Sequence, residues 1–208
     1  CSERIICMRI PDQITFLFNG VSALLGWTSV MSTFDYFQVT YPTISVSNYF
    51  PIPMFVAFLL VGLVFHRLQQ HYSYSFMILF GLVLTNLTLV GMLLASIYLP
   101  TSSLGLTVCL VMCFLNGVAG NLTQLSFFAI INYMSEEIVG VFTLGASLGG
   151  LVIAFVRAAV LVCMGSRSGN VLAIMVYFAV GLLGNIFDLW LNLRFFSSPS
   201  YFKRVWPH

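Results

Sequence analysis

Four groups of residues could do chemistry in this 208-residue chain, and all four lie within long apolar stretches: Trp27 with Thr28, Asn121 with Gln124, Arg157, and Asp188. A charge at the centre of a membrane-spanning helix costs about 2.5–3.5 kcal/mol on insertion scales, so polar side chains there turn toward other helices or a wet cavity. Gln124 offers both donors and an acceptor, which suits a heterocyclic or sugar ligand and equally suits a hydrogen bond between helices. Arg157 sits near one end of its apolar stretch, where a long stem can carry the charge to the interface. Asp188 lies deeper, by roughly 16 Å at 1.5 Å rise per residue. An Arg157–Asp188 ion pair is therefore not expected, and Asp188 is expected to approach the cytoplasmic interface with Arg194.

Other reactive residue types do not assemble into a site. Cys109 and Cys113 stand one helical turn apart in an apolar run with no sulfur or imidazole ligand nearby, so they read as small apolar fillers rather than a metal or redox pair. His66 and His71 end a helix facing water and read as interfacial polar residues. The carboxylates Glu3, Asp12, Asp35, Glu136, Glu137 and Asp188 include no pair placed with a nucleophile and base, so no enzyme is expected, and no cofactor or metal. Two glycosylation sequons, at Asn86 and Asn121, fall inside spans where a transferase cannot reach them.

The elements that position these residues follow from hydropathy. Of the chain, 60% is hydrophobic and 7% charged, far below the roughly 25% charge a soluble domain carries. Mean hydropathy is +1.00. A bilayer core takes about 20 apolar residues per helix, and a spanning element must satisfy its own backbone. The sequence predicts an all-α polytopic membrane protein, one bundle of six transmembrane helices over about 14–37, 49–66, 74–99, 104–134, 136–164 and 170–196. Breaks fall at Pro42 to Asn48, at His66-Arg67-Leu-Gln-Gln-His71, at Pro100 to Ser103, at Ser135-Glu136-Glu137, and at Gly165 to Gly169.

Six spans place both ends on one side. Arg4, Arg9, Arg67, Arg194, Lys203 and Arg204 fall on the termini and the second-to-third loop, with Arg167 alone on the opposite face. The positive-inside rule then predicts cytoplasmic or matrix-side termini, in a plasma or organellar membrane. Basic residues are too few and scattered for a nucleic-acid surface, since the net charge is only +2. No uninterrupted apolar run resembling a signal peptide precedes the first span, and the native N-terminus is expected to lie before Cys1.

Glycines add a further signal. Gly140, Gly145, Gly149 and Gly150 crowd the first half of span 5, and Gly117 and Gly120 do so in span 4. Small residues let helices approach closely, so spans 4 and 5 are expected to pack together or against a moving partner. Glycine-rich helices also suit transporters that rock around a midplane site.

Span 1 reads Gly20-Val-Ser-Ala-Leu24-Leu25-Gly26-Trp27-Thr28, then Met31 and Tyr36-Phe37. It resembles the first helix of equilibrative nucleoside transporters, with its Gly-x-Gly-x-Leu-Leu-Pro-Trp-Asn motif, a Met and a Tyr-Phe pair. Gly26 replaces the motif's Pro and Thr28 its Asn. Span 4, Asn116-Gly117-Val-Ala-Gly120-Asn121-Leu-Thr-Gln124-Leu-Ser126, is similar to the family's fourth helix, where a Gln contacts the nucleobase. In span 5, Gly145 through Gly149-Gly150 followed by Arg157 looks like the small-residue run and Arg of the plant and protist branch, and Tyr201-Phe202-Lys203-Arg204 resembles the aromatic-basic exit of the sixth helix.

This resemblance covers the N-terminal half of an eleven-span family and implies a bundle like the N-terminal half of a major-facilitator-like transporter. It further implies facilitative nucleoside or nucleobase carriage by alternating access. Leu24, Trp27, Thr28, Met31, Gly120, Gln124 and Ser126 would line the substrate site, and Gly145, Gly149, Gly150 and Arg157 would serve packing or gating. Expected partners are the lipid bilayer, the nucleoside or nucleobase, and a C-terminal half or partner membrane subunits. The alternative is a non-transporting structural subunit of a larger membrane complex.

Overall fold

A computed structural model describes residues 10–132, 136–164 and 171–197. Among them the chain forms eight helices and no strand: α1 (Ile10–Ser32), α2 (Phe34–Thr40), α3 (Val46–Tyr49), α4 (Pro51–His71), α5 (Tyr74–Tyr98), α6 (Ser103–Ile131), α7 (Glu136–Met164) and α8 (Val171–Phe196). Helices α1 with α2, and α3 with α4, form the first two of six apolar spans, which run Gln13–Thr40, Val46–His71, Tyr74–Tyr98, Ser103–Ile131, Glu137–Cys163 and Val171–Phe196. A helix the length of α5 reaches about 38 Å, enough to cross a hydrocarbon core of about 30 Å. The chain is an all-α, multi-pass integral membrane protein.

Local chemistry sets the ends. Ser73 and Ser102 cap α5 and α6 by accepting from the backbone N–H of Phe76 (3.3 Å) and Gly105 (2.9 Å), each relieving an orphan donor. Pro51 opens α4, where its missing N–H is harmless. The first span breaks at Thr33, whose hydroxyl turns back to the Val30 carbonyl at 2.6 Å. Gln38 fastens the following loop, donating to the Ile44 carbonyl at 2.9 Å and accepting from the Val46 N–H at 3.0 Å. Helix α4 extends beyond the expected end at His66, because the polar segment through His71 stays helical. The turns around Gly165 and after Ser197, the side chains of Glu136 and Asp12, and Arg4, Arg9, Arg167, Lys203 and Arg204 lie outside the described residues.

The bundle centres on α1, which packs on α7 and α8; α5 packs on α6 and α8, and α4 lies against α6. Half of the most apolar stretch of span 1 is buried, against 22% of that in span 2, so α4 is the peripheral helix. Leu59, Leu63, Phe155, Val162 and Leu183 point outward, as lipid-facing side chains do. Glycine contacts differ from the expectation. A Cβ on Gly145 or Gly149 would strike the backbone of Leu17 or Val21 in α1, and one on Gly20 would strike Phe142 and Ala146. Gly145 and Gly149 of span 5 therefore serve contact with span 1, not with span 4. Gly117 meets Met54 and Ala57 of α4, whereas Gly120, Gly140 and Gly150 have open space beside them.

Candidate functional site

A cavity of about 140 Å³ opens between α1, α4, α5, α6 and α8. An engineered apolar cavity of about 150 Å³ admits benzene, so this volume accommodates one aromatic ring. Trp27, Leu24, Met54, Phe55, Phe58 and Leu82 supply its apolar walls. The Trp27 ring is braced edge-on by Phe34, with ring centroids 6.1 Å apart. Gly120 borders the cavity with no side chain to fill it.

The polar part of the wall is made of neutral groups: Ser22, Thr85, Asn116, Thr123, Gln124 and Asn185. Gln124 makes no hydrogen bond to a described residue, so its whole amide is available. Its neighbour Asn121 does the opposite, donating across to the Phe58 carbonyl at 2.7 Å and tying α6 to α4. The Thr88 hydroxyl donates chiefly to the Thr85 carbonyl at 2.8 Å and reaches Asn116 Oδ1 only at 3.3 Å, and Asn116 Nδ2 donates to no described residue. The Asn185 Nδ2 donates to the Gly181 carbonyl at 2.9 Å, while its buried Oδ1 has no partner. Thr123 Oγ1 is also buried without a partner, but it lies against the backbone of Gly81, where a Cβ would collide with it.

Directly behind this wall lies a second polar group, fully enclosed. Asp188, Asn192 and Asn19 are 0–1% exposed. The Ser22 hydroxyl donates to Asp188 Oδ2, and Asn192 Nδ2 lies 3.2 Å from Oδ1 and 2.9 Å from the Asp188 carbonyl. The Asn19 amide fits best in one orientation. With its nitrogen turned toward Asp188 it donates to Oδ1 at 2.6 Å and to the Thr15 carbonyl at 3.3 Å, whereas the reverse would set its oxygen against the carboxylate oxygen. Asp188 thus turns into the bundle rather than toward Arg194, which lies over the Trp190 ring at 5.7 Å. Periodicity explains the correction: Asp188, Asn185 and Asn192 share the face of α8 that packs on α1 and α5. Arg157 pairs instead with Asp35, at 2.5 Å and with both side chains well exposed.

Of the residues singled out from sequence, Leu24, Trp27, Gly120 and Gln124 come together on the cavity. Thr28, Met31 and Ser126 do not line it. The Thr28 hydroxyl folds back to the Leu24 carbonyl at 2.8 Å, Met31 is 43% exposed, and the buried Ser126 hydroxyl returns to the Leu122 carbonyl at 2.7 Å. Gly145 and Gly149 lie on the α1–α7 contact, and Gly150 faces open space. Thr85, Asn116 and Asn185 were missed, although the cost of polar groups in mid-span applies to them as much as to Gln124. Cys109 and Cys113 are buried and free, and no cluster of metal-ligating side chains occurs among the described residues. No protein-family model matches the chain, and no curated protein matches it.

Proposed function

We propose that this chain forms the first six spans of a facilitative nucleoside or nucleobase carrier, with cytoplasmic or matrix-side ends and the substrate held near the bilayer midplane. The observation that carries this reading is the unspent Gln124 amide on a ring-sized cavity beside Trp27 and Leu24. An amide can match the donor-acceptor edge of a base, and an indole face can stack on it. The polar wall holds no charged side chain, which suits a neutral solute. Residues at these positions are also the ones carrying the resemblance to equilibrative nucleoside transporters in spans 1 and 4. An opposing bundle would complete alternating access by rocking about this site.

Uptake of radiolabelled adenosine and uridine by cells expressing the complete gene product tests the proposal. Gln124→Ala and Trp27→Ala should each lower uptake about tenfold or more at equal surface level, the size of one lost hydrogen bond or stacking contact. Uptake unchanged by both substitutions would sink the site. One observation favours the alternative of a non-transporting membrane subunit: Thr28, at the motif's Asn position, spends its hydroxyl within its own helix. Absence of uptake together with stable co-purification of partner membrane proteins would support that reading instead.

A further inference from the structure

We infer that Asp188 is a proton-binding site, in which a proton on Oδ1 is shared with the amide oxygen of Asn19 and the amide turns over when the proton leaves. The site does not depend on the carrier reading. One side-chain atom of Asn19 touches both Asp188 Oδ1, at 2.6 Å, and Asn192 Nδ2, at 2.7 Å. An oxygen and a nitrogen make opposite demands on that atom. The Asn192 nitrogen is fixed as a donor by the Asp188 carbonyl, 2.9 Å away.

If the Asn19 atom is nitrogen, it serves the carboxylate and opposes Asn192 Nδ2; if it is oxygen, it serves Asn192 and opposes the carboxylate. With Asp188 ionised the nitrogen prevails, because it also reaches the Thr15 carbonyl at 3.3 Å. One donor still faces another donor. A proton on Oδ1 removes that conflict. The acid then donates to the Asn19 oxygen at a separation usual for an O–H···O bond, Asn192 donates to the same oxygen, and Ser22 continues to donate to Oδ2. The two states differ by one proton and a half-turn of one amide.

No cation pairs with Asp188 among the described residues. Helices α1, α5 and α7 pack on α8. The described side chains of α1 and all of α5 are uncharged, while α7 carries the exposed Glu137 and Arg157, which is held by Asp35. Arg194 of α8 itself lies over Trp190. Of the other titratable groups on these helices, the Tyr74 hydroxyl donates to Gln69, Tyr98 and Cys163 are exposed, and Tyr177 lies about three turns along α8. Asn19, Asp188 and Asn192 are sealed, whereas Ser22 also borders the cavity. Water in the cavity is therefore one hydroxyl away from Asp188. Release of the proton leaves a negative charge directly behind an otherwise neutral wall, so proton occupancy sets the charge that a bound solute meets.

Infrared difference spectroscopy tests the site, on the complete gene product in lipid nanodiscs as pH is stepped. A carboxylic-acid C=O band should grow as pH falls, shift down in heavy water, shift again with isotope-labelled aspartate, and be absent from Asp188→Asn. That variant offers an N–H where the acid proton sits, so it keeps the donor to Asn19. Asn19→Ala, or Asn19→Ser if the alanine variant does not fold, removes the acceptor and should move the band to higher frequency without abolishing it. A purely structural Asn19 would leave the band in place. If Asp188→Asn does not fold, labelled aspartate and the Asn19 variants carry the assignment between them. Absence of an aspartate acid band at every pH the fold tolerates, a band that ignores pH, or one indifferent to these substitutions overturns the site. Solute uptake plays no part in the measurement, so the carrier reading stands or falls separately.

Discussion

Two polar regions lie side by side within one apolar bundle, and they handle their hydrogen bonds in opposite ways. The enclosed group of Asn19, Ser22, Asp188 and Asn192 links α1 to α8 and uses up its donors and acceptors on itself. The cavity wall, which shares Ser22 with it, keeps the Gln124 amide and Asn185 Oδ1 unspent. Sequence gives both the same appearance, an isolated polar residue in an apolar span. What separates them is whether neighbours complete the hydrogen bonding, since a satisfied group stabilises the fold and an unsatisfied one adjoining a cavity is available to a ligand.

The sharpest way to break that contrast is to empty the enclosed group. Asp188→Leu strands Ser22, Asn19 and Asn192 at once, and a cost of about 3 kcal/mol or more is expected. Fluorescence-detected size-exclusion chromatography should show little folded protein, whereas Asp188→Asn, which keeps polar atoms in place, should be milder. Survival of the leucine variant with an unchanged melting temperature would mean that the group is not structural. The next effect belongs to the close contact of α1 with α7. Gly145→Leu forces α7 away from the Leu17 carbonyl and should cost about 1–3 kcal/mol, as overpacking does, read as a lowered melting temperature. The cavity wall should behave differently, with Gln124→Ala reducing ligand response while shifting the melting temperature little. Smallest of all is Arg157→Gln. Its ion pair with Asp35 is well exposed, and at most about 1 kcal/mol is expected.

The spans were legible because their signal is a sum over many residues, which local errors do not erase. The second span departs most from expectation, since the polar stretch Arg67 to His71 reads as a loop although it continues the helix. Leu24, Trp27, Gly120 and Gln124 were legible as neighbours through the resemblance of spans 1 and 4 to a transporter family, not through composition or spacing. Asp188 was misplaced because depth along a helix says nothing of the face a residue takes, and its partners Asn19 and Ser22 come from a helix 166 or more positions earlier. The glycines of α7 announced a close approach, but not the helix approached; that depends on tertiary arrangement, which a single span does not encode.

The contact between α1 and α7 has a mechanical meaning. Two helices whose backbones touch at Gly20, Gly145 and Gly149 have no layer of side chains between them on which to roll or slide. They act as one plank, with Trp27 fixed to its inner edge and Arg157 to its outer end. Any rearrangement of the cavity must then come from elements that move relative to this plank, α4 foremost, because it is the least buried of the six spans. Spin labels placed on α1 and α7 should hold one separation with and without ligand, while a label pair on α1 and α4 should report the motion.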